Sequence, residues 1–230
     1  MSVYVKLLAY TPDAAKIVSA AARLCYSPTG VSDIIDNLTE EKIRSFLKML
    51  NESGHLSPFE HVSFTFAIEG ISRVMTHQLV RHRLASYSQQ SQRYVGSSND
   101  TCICPPSIEN NPEAKKTFEE TIAKAWESYD RLIEAGVPRE DARFILPHGA
   151  ETRIVVTMNA RELHHFFSLR LCRRAQWEIR EVARQMCALA REAAPEIFGI
   201  AGPSCLVKGR CEEAHSCMKP YRNMEELLAK

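Results

Sequence analysis

Val62-Ser63-Phe64-Thr65-Phe66-Ala67-Ile68 sets an apolar side chain at every second position, the period of a strand with one buried face. Directly after it the period changes, and Ile71 to Arg83 reads as a helix. The same switching continues in both directions. Towards the N-terminus, Thr39 is placed to cap a helix, with Glu40 and Glu41 at its positive end. Ile43, Phe46, Leu47 and Leu50 follow at helical spacing until Gly54 stops it. Before that, Val3 to Tyr10 reads as a strand, and Pro12-Asp13 opens a helix to Tyr26. Towards the C-terminus, Asn111-Pro112 starts a helix ending at Gly136. Thr152 to Met158 is strand-like, Asn159 caps a helix through Arg170, and a long helix covers Ala175 to Ala194 before Pro195. There is no repeat or low-complexity linker. The pattern predicts one α+β (mixed α/β) unit with several long helices, not two domains.

Composition narrows the function classes. Of 230 residues, 45% are hydrophobic and 25% charged, the profile of an ordinary globular chain and not of a disordered one. Lys plus Arg total 29 against 28 acidic residues, which argues against a general nucleic-acid or membrane-surface binder. No apolar run is long enough to span a bilayer. Met1-Ser2-Val3-Tyr4-Val5-Lys6 lacks a signal-peptide pattern, so the expected location is cytoplasmic. The eight cysteines, Cys25, Cys102, Cys104, Cys172, Cys187, Cys205, Cys211 and Cys217, are then expected as reduced thiols. Cys205, Cys211, His215 and Cys217 are suggestive of zinc. They lack the paired C-x2-C spacing of common structural sites, so the expectation is a thiol-rich tail and no metal.

The chemistry-bearing residues are basic. Between Gly70 and Asn99 there is no acidic residue, while Arg73, His77, Arg81, His82, Arg83 and Arg93 all fall there, interleaved with Ser, Gln and Tyr. Two readings are open at this point: a solvated basic helix face, or an anion and nucleotide site built from planar donors, hydroxyls and aromatic faces. A second basic group, Arg143, Arg161, Arg170, Arg173 and Arg174, suggests recognition of more than one phosphate. Its bland alternative is surface pairing with Glu162, Glu178 and Glu181. Several chemistries are absent: no dinucleotide glycine fingerprint, no phosphate loop, no zinc-protease helix at Glu162-Leu163-His164-His165, and no nucleophile elbow. No cysteine stands beside an activating base.

Arg81-His82-Arg83, seven residues, then Ser91 resembles the R-H-R-x7-S signature of the flavin-dependent thymidylate synthases. Gly54-His55-Leu56-Ser57-Pro58-Phe59-Glu60-His61 resembles a second segment of that family, and Gly136 to Arg143 a third. Asn159-Ala160-Arg161-Glu162-Leu163, Leu169-Arg170 and Ala175 to Arg180 resemble its C-terminal half. The likeness runs in order over residues 1–200, and the Cys-rich tail 201–230 lies outside it.

The resemblance implies a central, mostly antiparallel sheet flanked by long helices, assembled as a homotetramer with shared active sites. It implies methylation of deoxyuridine monophosphate (dUMP) at C5 to thymidylate. Carbon would come from 5,10-methylenetetrahydrofolate and hydride from FAD, re-reduced by NADPH. Ser57, Arg81, His82, Arg83, Gln89, Asn159, Ala160, Arg161 and His165 would contact the flavin. Gln78, Arg81, Gln89, Gln90, Ser91, Gln92, Arg93, Arg143 and Arg170 would hold the nucleotide, with Arg170 polarising the pyrimidine. Ser91 joins Arg170 at the catalytic centre. No His and carboxylate are evident to activate its hydroxyl, which favours hydrogen bonding over nucleophilic attack. Gln89 stands where many members have Glu, and His165 where many have Asn. Gln89 cannot act as a carboxylate base, and His165 can titrate near neutrality. Neither nucleic acid nor membrane is an expected partner.

Overall fold

The computed structural model describes residues 3–95 and 101–229. Met1 and Ser2 and the far end of the basic stretch, 96–99, lie outside them. Four strands, β1 (Tyr4–Tyr10), β2 (Ser63–Ser72), β3 (Ala85–Gln89) and β4 (Glu151–Asn159), form one sheet in the order β1-β2-β4-β3. Every pairing is antiparallel. The helices are α1 (Ala14–Leu24), α2 (Val31–Asp36), α3 (Glu40–Ser53), α4 (Arg73–Leu79), α5 (Pro106–Glu109), α6 (Pro112–Glu134), α7 (Arg139–Ala142), α8 (Ala160–Arg170), α9 (Trp177–Ala193), α10 (Pro195–Phe198), α11 (Ser204–Val207) and α12 (Met224–Leu228). Tight 3-10 turns cover Ser57–His61 and Arg143–Ile145.

The alternation in β2 does what its period requires. Phe64, Phe66 and Ile68 are fully buried and stand opposite Met158, Val156 and Ile154 of β4. With Phe59, Phe166, Phe167, Phe198 and Met186 they make one core between the sheet and the packed helices. The other face stays open: Leu8 is 49% and Val155 37% exposed, beside exposed Ser86 and Ser88. A smaller cluster of Trp126, Tyr129, Ala142 and Ala150 joins α6 to α7 and the start of β4. No helix among the described residues is long and apolar enough to cross a membrane.

The helix caps follow the side-chain chemistry. Thr39, Asn111 and Asn159 each accept a backbone N–H three residues on. Gly54, at φ +73°, closes α3 in a conformation that favours glycine. The expected helix from Ile71 to Arg83 is corrected. Ile71 and Ser72 pair with Thr152 and Glu151 as the end of β2, beyond a bulge that includes Gly70 at φ +67°. α4 is only two turns long, and Arg81 to Arg83 lie in the turn that follows it. The sequence reading assigns no element to 85–89. That segment is edge strand β3, polar except for Ala85 and Tyr87, because only one side of it is paired.

Candidate active site

The site begins where β2 becomes α4. Ser72 caps α4 by accepting from the Met75 N–H, at 3.0 Å. Its own N–H and hydroxyl both donate to the buried Glu178 carboxylate, each at 2.6 Å. Glu178 lies in the first turn of α9, whose free N–H groups at Glu178 and Ile179 are capped by the Gln176 side chain. The start of α4 is thereby fixed to α9. At its other end, the Tyr87 hydroxyl lies 2.8 Å from both the Leu79 and His82 carbonyl oxygens and closes the turn. Burial, and secondarily Glu162, hold that phenol well above its ordinary pKa.

This turn divides its three basic residues. His82 points inward and is buried, edge-on to Phe166 at 5.0 Å and near His165 at 5.7 Å between ring centroids. Arg81 and Arg83 are exposed, and neither has a side-chain hydrogen bond or ion pair among the described residues.

His82 is the middle of a hydrogen-bonded chain. Its Nδ1 lies 2.9 Å from Glu162 Oε1, and Arg170 Nε donates to its Nε2 at 3.1 Å. Glu162, Phe166 and Arg170 are four residues apart along α8 and share one face. An arginine N–H can only donate, so Nε2 must be the acceptor and the imidazole proton must sit on Nδ1, donating to Glu162. Burial lowers the His82 pKa, Arg170 and His165 lower it further, and Glu162 opposes them. The imidazole is therefore neutral. His82, Glu162 and His165 also lie close enough to share a metal ion, within 4.8 Å. An ion at His82 would have to displace the Nδ1 proton or Arg170. Burial also lowers the Arg170 pKa. Its terminal nitrogens have no partner among the described residues.

A second group forms beside α4 and α7. Arg73 donates to the Gln90 carbonyl at 3.0 Å, and its Nε is buried with no partner among the described residues. Burial lowers its pKa first, and the neighbouring Arg143 guanidinium lowers it further. Glu140 pairs with Arg93 at 2.7 Å, while its carbonyl accepts from Arg143 Nε at 3.1 Å. Ser91 Oγ accepts the Arg93 N–H at 3.2 Å. Arg73, Ser91, Arg93 and Arg143 thus converge, with two guanidiniums repelling each other and one donor unmet. Such a group suits an anion.

The remaining expected residues are placed less centrally. Gln89 gives its amide nitrogen to Thr76 and Thr152 hydroxyls, both at 3.2 Å. Gln90 is exposed, and Gln78 and Gln92 are half-buried. Ser57 opens the 3-10 turn whose Glu60 pairs with Arg161, so that turn and the start of α8 are tied together. Asn159 spends its side-chain oxygen as the α8 cap, and Ala160 is buried with its N–H on Val62 O. Arg173 and Arg174 do not join the site. They reach the tail instead, donating to the Lys219 and His215 carbonyls and pairing with Glu226 and Glu213. Glu162, Glu178 and Glu181, the surface partners weighed from sequence, go to His82, Ser72 and Arg184. Sequence reasoning gave no site role to Arg73 or Glu162. Glu162, three residues after the Asn159 cap, looks like an ordinary capping-box acid.

The family model described as "Thymidylate synthase complementing protein" matches residues 6–196. The chain is 49% identical to the flavin-dependent thymidylate synthase of Clostridium tetani, over 95% of this chain and 94% of that one. It is 50% identical to that of Geobacter sulfurreducens, over 91% and 90%. Among solved structures, the UMP/dUMP methylase PolB from Streptomyces cacaoi, bound with 5-Br dUMP, superposes with a TM-score of 0.76 at 27% identity. That match covers 86% of this chain and 93% of PolB. By sequence over almost its whole length, and with the Arg81-His82-Arg83 turn standing on a β-sheet edge beside Arg170, this chain belongs to the flavin-dependent thymidylate synthase family.

Proposed function

We propose that this protein methylates dUMP at C5 to form thymidylate, taking carbon from 5,10-methylenetetrahydrofolate and using FAD and NADPH. The observation that carries the reading is Arg170. Its Nε is anchored through His82 to Glu162, and its terminal nitrogens remain available. Such a fork matches a pyrimidine carbonyl and its adjacent ring nitrogen with two parallel hydrogen bonds. Negative charge that accumulates on the ring is stabilised there, and C5 becomes the nucleophile. A donor already oriented in a partly buried site does this with little reorganisation.

FAD, when bound, supplies the hydride that completes the methyl group. The donor set fits it: Arg81 and Arg83, unpartnered among the described residues, suit its pyrophosphate, while Ser57, Asn159 and Arg161 border the start of α8 and His165 lies about one turn further along it. Ala160 and Gln89 complete the expected flavin set. Arg73 extends the nucleotide set of Gln78, Gln90, Ser91, Gln92, Arg93 and Arg143, and its unmet Nε suits a phosphate. Ser91 is assigned hydrogen bonding to substrate, since its hydroxyl oxygen accepts the Arg93 N–H and it has no histidine partner among the described residues.

The proposed homotetramer rests on the open sheet face and on Arg81 and Arg83 pointing away from their own chain. Purified protein should be yellow and should form thymidylate from dUMP, methylenetetrahydrofolate and NADPH. A colourless preparation that cannot be loaded with FAD and makes no product would end the proposal. Light scattering tests the assembly. FAD-depleted Arg83→Ala chains and slowed Arg170→Lys chains should partly rescue each other in mixed tetramers, and no activity beyond that of the two parent variants would mean self-contained sites.

A further inference from the structure

The C-terminal segment poses a physical problem that the reaction does not address. Residues 208–223 contain no helix or strand and no buried residue, yet they follow a defined path against the body. Loops of that length without structure of their own are uncommon unless something holds them. Arg173 and Arg174 hold two carbonyls, at Lys219 and His215. Arg173 also stacks over Tyr221 at 4.0 Å.

Beneath these contacts is a cavity of about 30 Å³ lined by Cys172, Cys205, Cys211 and Cys217. That volume admits one ion or water and is far too small for an organic ligand, whose pockets begin at roughly 300 Å³. Cys205, Cys211 and Cys217 are evenly spaced, six positions apart with five residues between each pair, and Cys172 enters from just past the end of α8. The sequence offered His215 as the fourth ligand. The structure offers Cys172 in its place, because His215 does not line the cavity. All four thiols are free. Arg173 and Lys219 also line the cavity, and Arg180 binds the Arg173 carbonyl, so cations stand where a tetrathiolate would carry net negative charge. Glu213 is the opposing acid.

We propose that Cys172, Cys205, Cys211 and Cys217 form a structural tetrathiolate site for zinc that fastens the C-terminal segment to the α8–α9 corner. With free thiols, the tight three-ligand group among the described residues is instead His82, Glu162 and His165. Metal binding therefore has to rotate the four cysteine side chains inward, to sulfur separations of about 3.8 Å. Each thiol releases its proton to solvent as it ligates, and no redox change is involved.

The full-length chain, purified untagged and without chelator, should carry about one zinc per chain by elemental analysis. Replacing zinc with cobalt should give thiolate charge-transfer absorption and the intense visible bands of tetrahedral cobalt. Cys172→Ser and Cys211→Ser should lose that metal, whereas Cys25→Ser and His215→Ala should keep it. Retention in Cys172→Ser with loss in His215→Ala would overturn the assigned ligand set. Wild-type protein with no zinc and no cobalt bands would overturn the site, as would disulfides among these cysteines under reducing purification. The cobalt spectrum is read on wild type, so misfolding of a variant does not obscure the result.

Discussion

Two faces of one turn are built on opposite principles. His82 faces inward, and each of its ring nitrogens has a partner, Glu162 and Arg170. Arg81 and Arg83, one residue to either side, face outward with no partner among the described residues. A buried polar group without a partner costs stability, whereas an exposed guanidinium is satisfied by water until a ligand displaces it. The inner face is completed by the fold itself. Under the proposed function, the outer face is left for what binds later, a flavin or another subunit. Interior residues of the site should therefore register in both stability and rate, and exterior ones in binding alone.

The largest effect is expected at the end of the inner chain. Arg170→Lys keeps charge but loses the planar fork and the Nε donor to His82. Thymidylate formation should slow by roughly 10- to 1,000-fold, on the scale of losing a single preorganised donor. Flavin retention should hardly change. Product formation and NADPH oxidation should be followed separately, and near-normal product formation would reduce Arg170 to a positioning role.

Glu162 comes next. Glu162→Ala leaves the Nδ1–H of a buried imidazole without an acceptor, a loss of about 1–3 kcal/mol. It also frees His82 to turn away from Arg170, so the rate should fall about tenfold, equivalent to roughly 1.4 kcal/mol. Glu162→Gln retains an acceptor oxygen and should recover most of the stability. Chemical denaturation and steady-state rates on the same preparations separate the two. An alanine variant with wild-type stability and rate would dissolve the chain as a functional unit.

Acidification probes the same face more gently. His82 has a folded pKa below the ordinary histidine value of about 6.5, chiefly through burial. As pH falls, the unfolded chain takes up the proton first. The stability contributed by neutral His82 is whole above pH ~6.5 and is lost as pH falls through the folded value. His164, pushed down to about 4 by burial, adds a similar loss between pH ~6.5 and its folded value. The melting temperature should decline across that window, and less steeply in a folded His164→Gln variant. An identical slope in that variant would remove His164 from the account.

How much of this was readable in the sequence divides along the same line. Phe64, Phe66 and Ile68 announce the central strand because burial on one face leaves a period-two trace. The Asn159 cap and the Gly54 stop are local, and the chain shows them. β3 left little trace: as an edge strand it carries Ser86, Ser88 and Gln89, and its pairing with β4 spans more than sixty residues of chain. Ile71 and Ser72 carry a helical spacing visible locally, while their strand pairing depends on β4, far along the chain. Signature arginines could be located by resemblance, but not sorted. Arg173 and Arg174 are as basic as Arg170, and they turn away from the site because the tail's carbonyls meet them. Glu162 and Cys172 show the same limit, since each acquires its meaning from a residue distant in the chain.

The smallest effect is expected on the outer face, and it is the sharper test for being small. Arg81→Ala and Arg83→Ala remove exposed side chains that neither pack into the core nor complete a buried hydrogen bond. Substitutions of that kind change stability by no more than about 0.5 kcal/mol. Flavin retention should nevertheless fall in both, because a guanidinium fork is lost from a dinucleotide's phosphates. The pairing of an unchanged melting temperature for the FAD-free protein with weakened FAD binding is what distinguishes a waiting donor from a structural one. A destabilised apoprotein would mean that Arg81 or Arg83 already has a partner in the assembled protein, and the contrast between the two faces would then be one of subunit contact and not of ligand readiness.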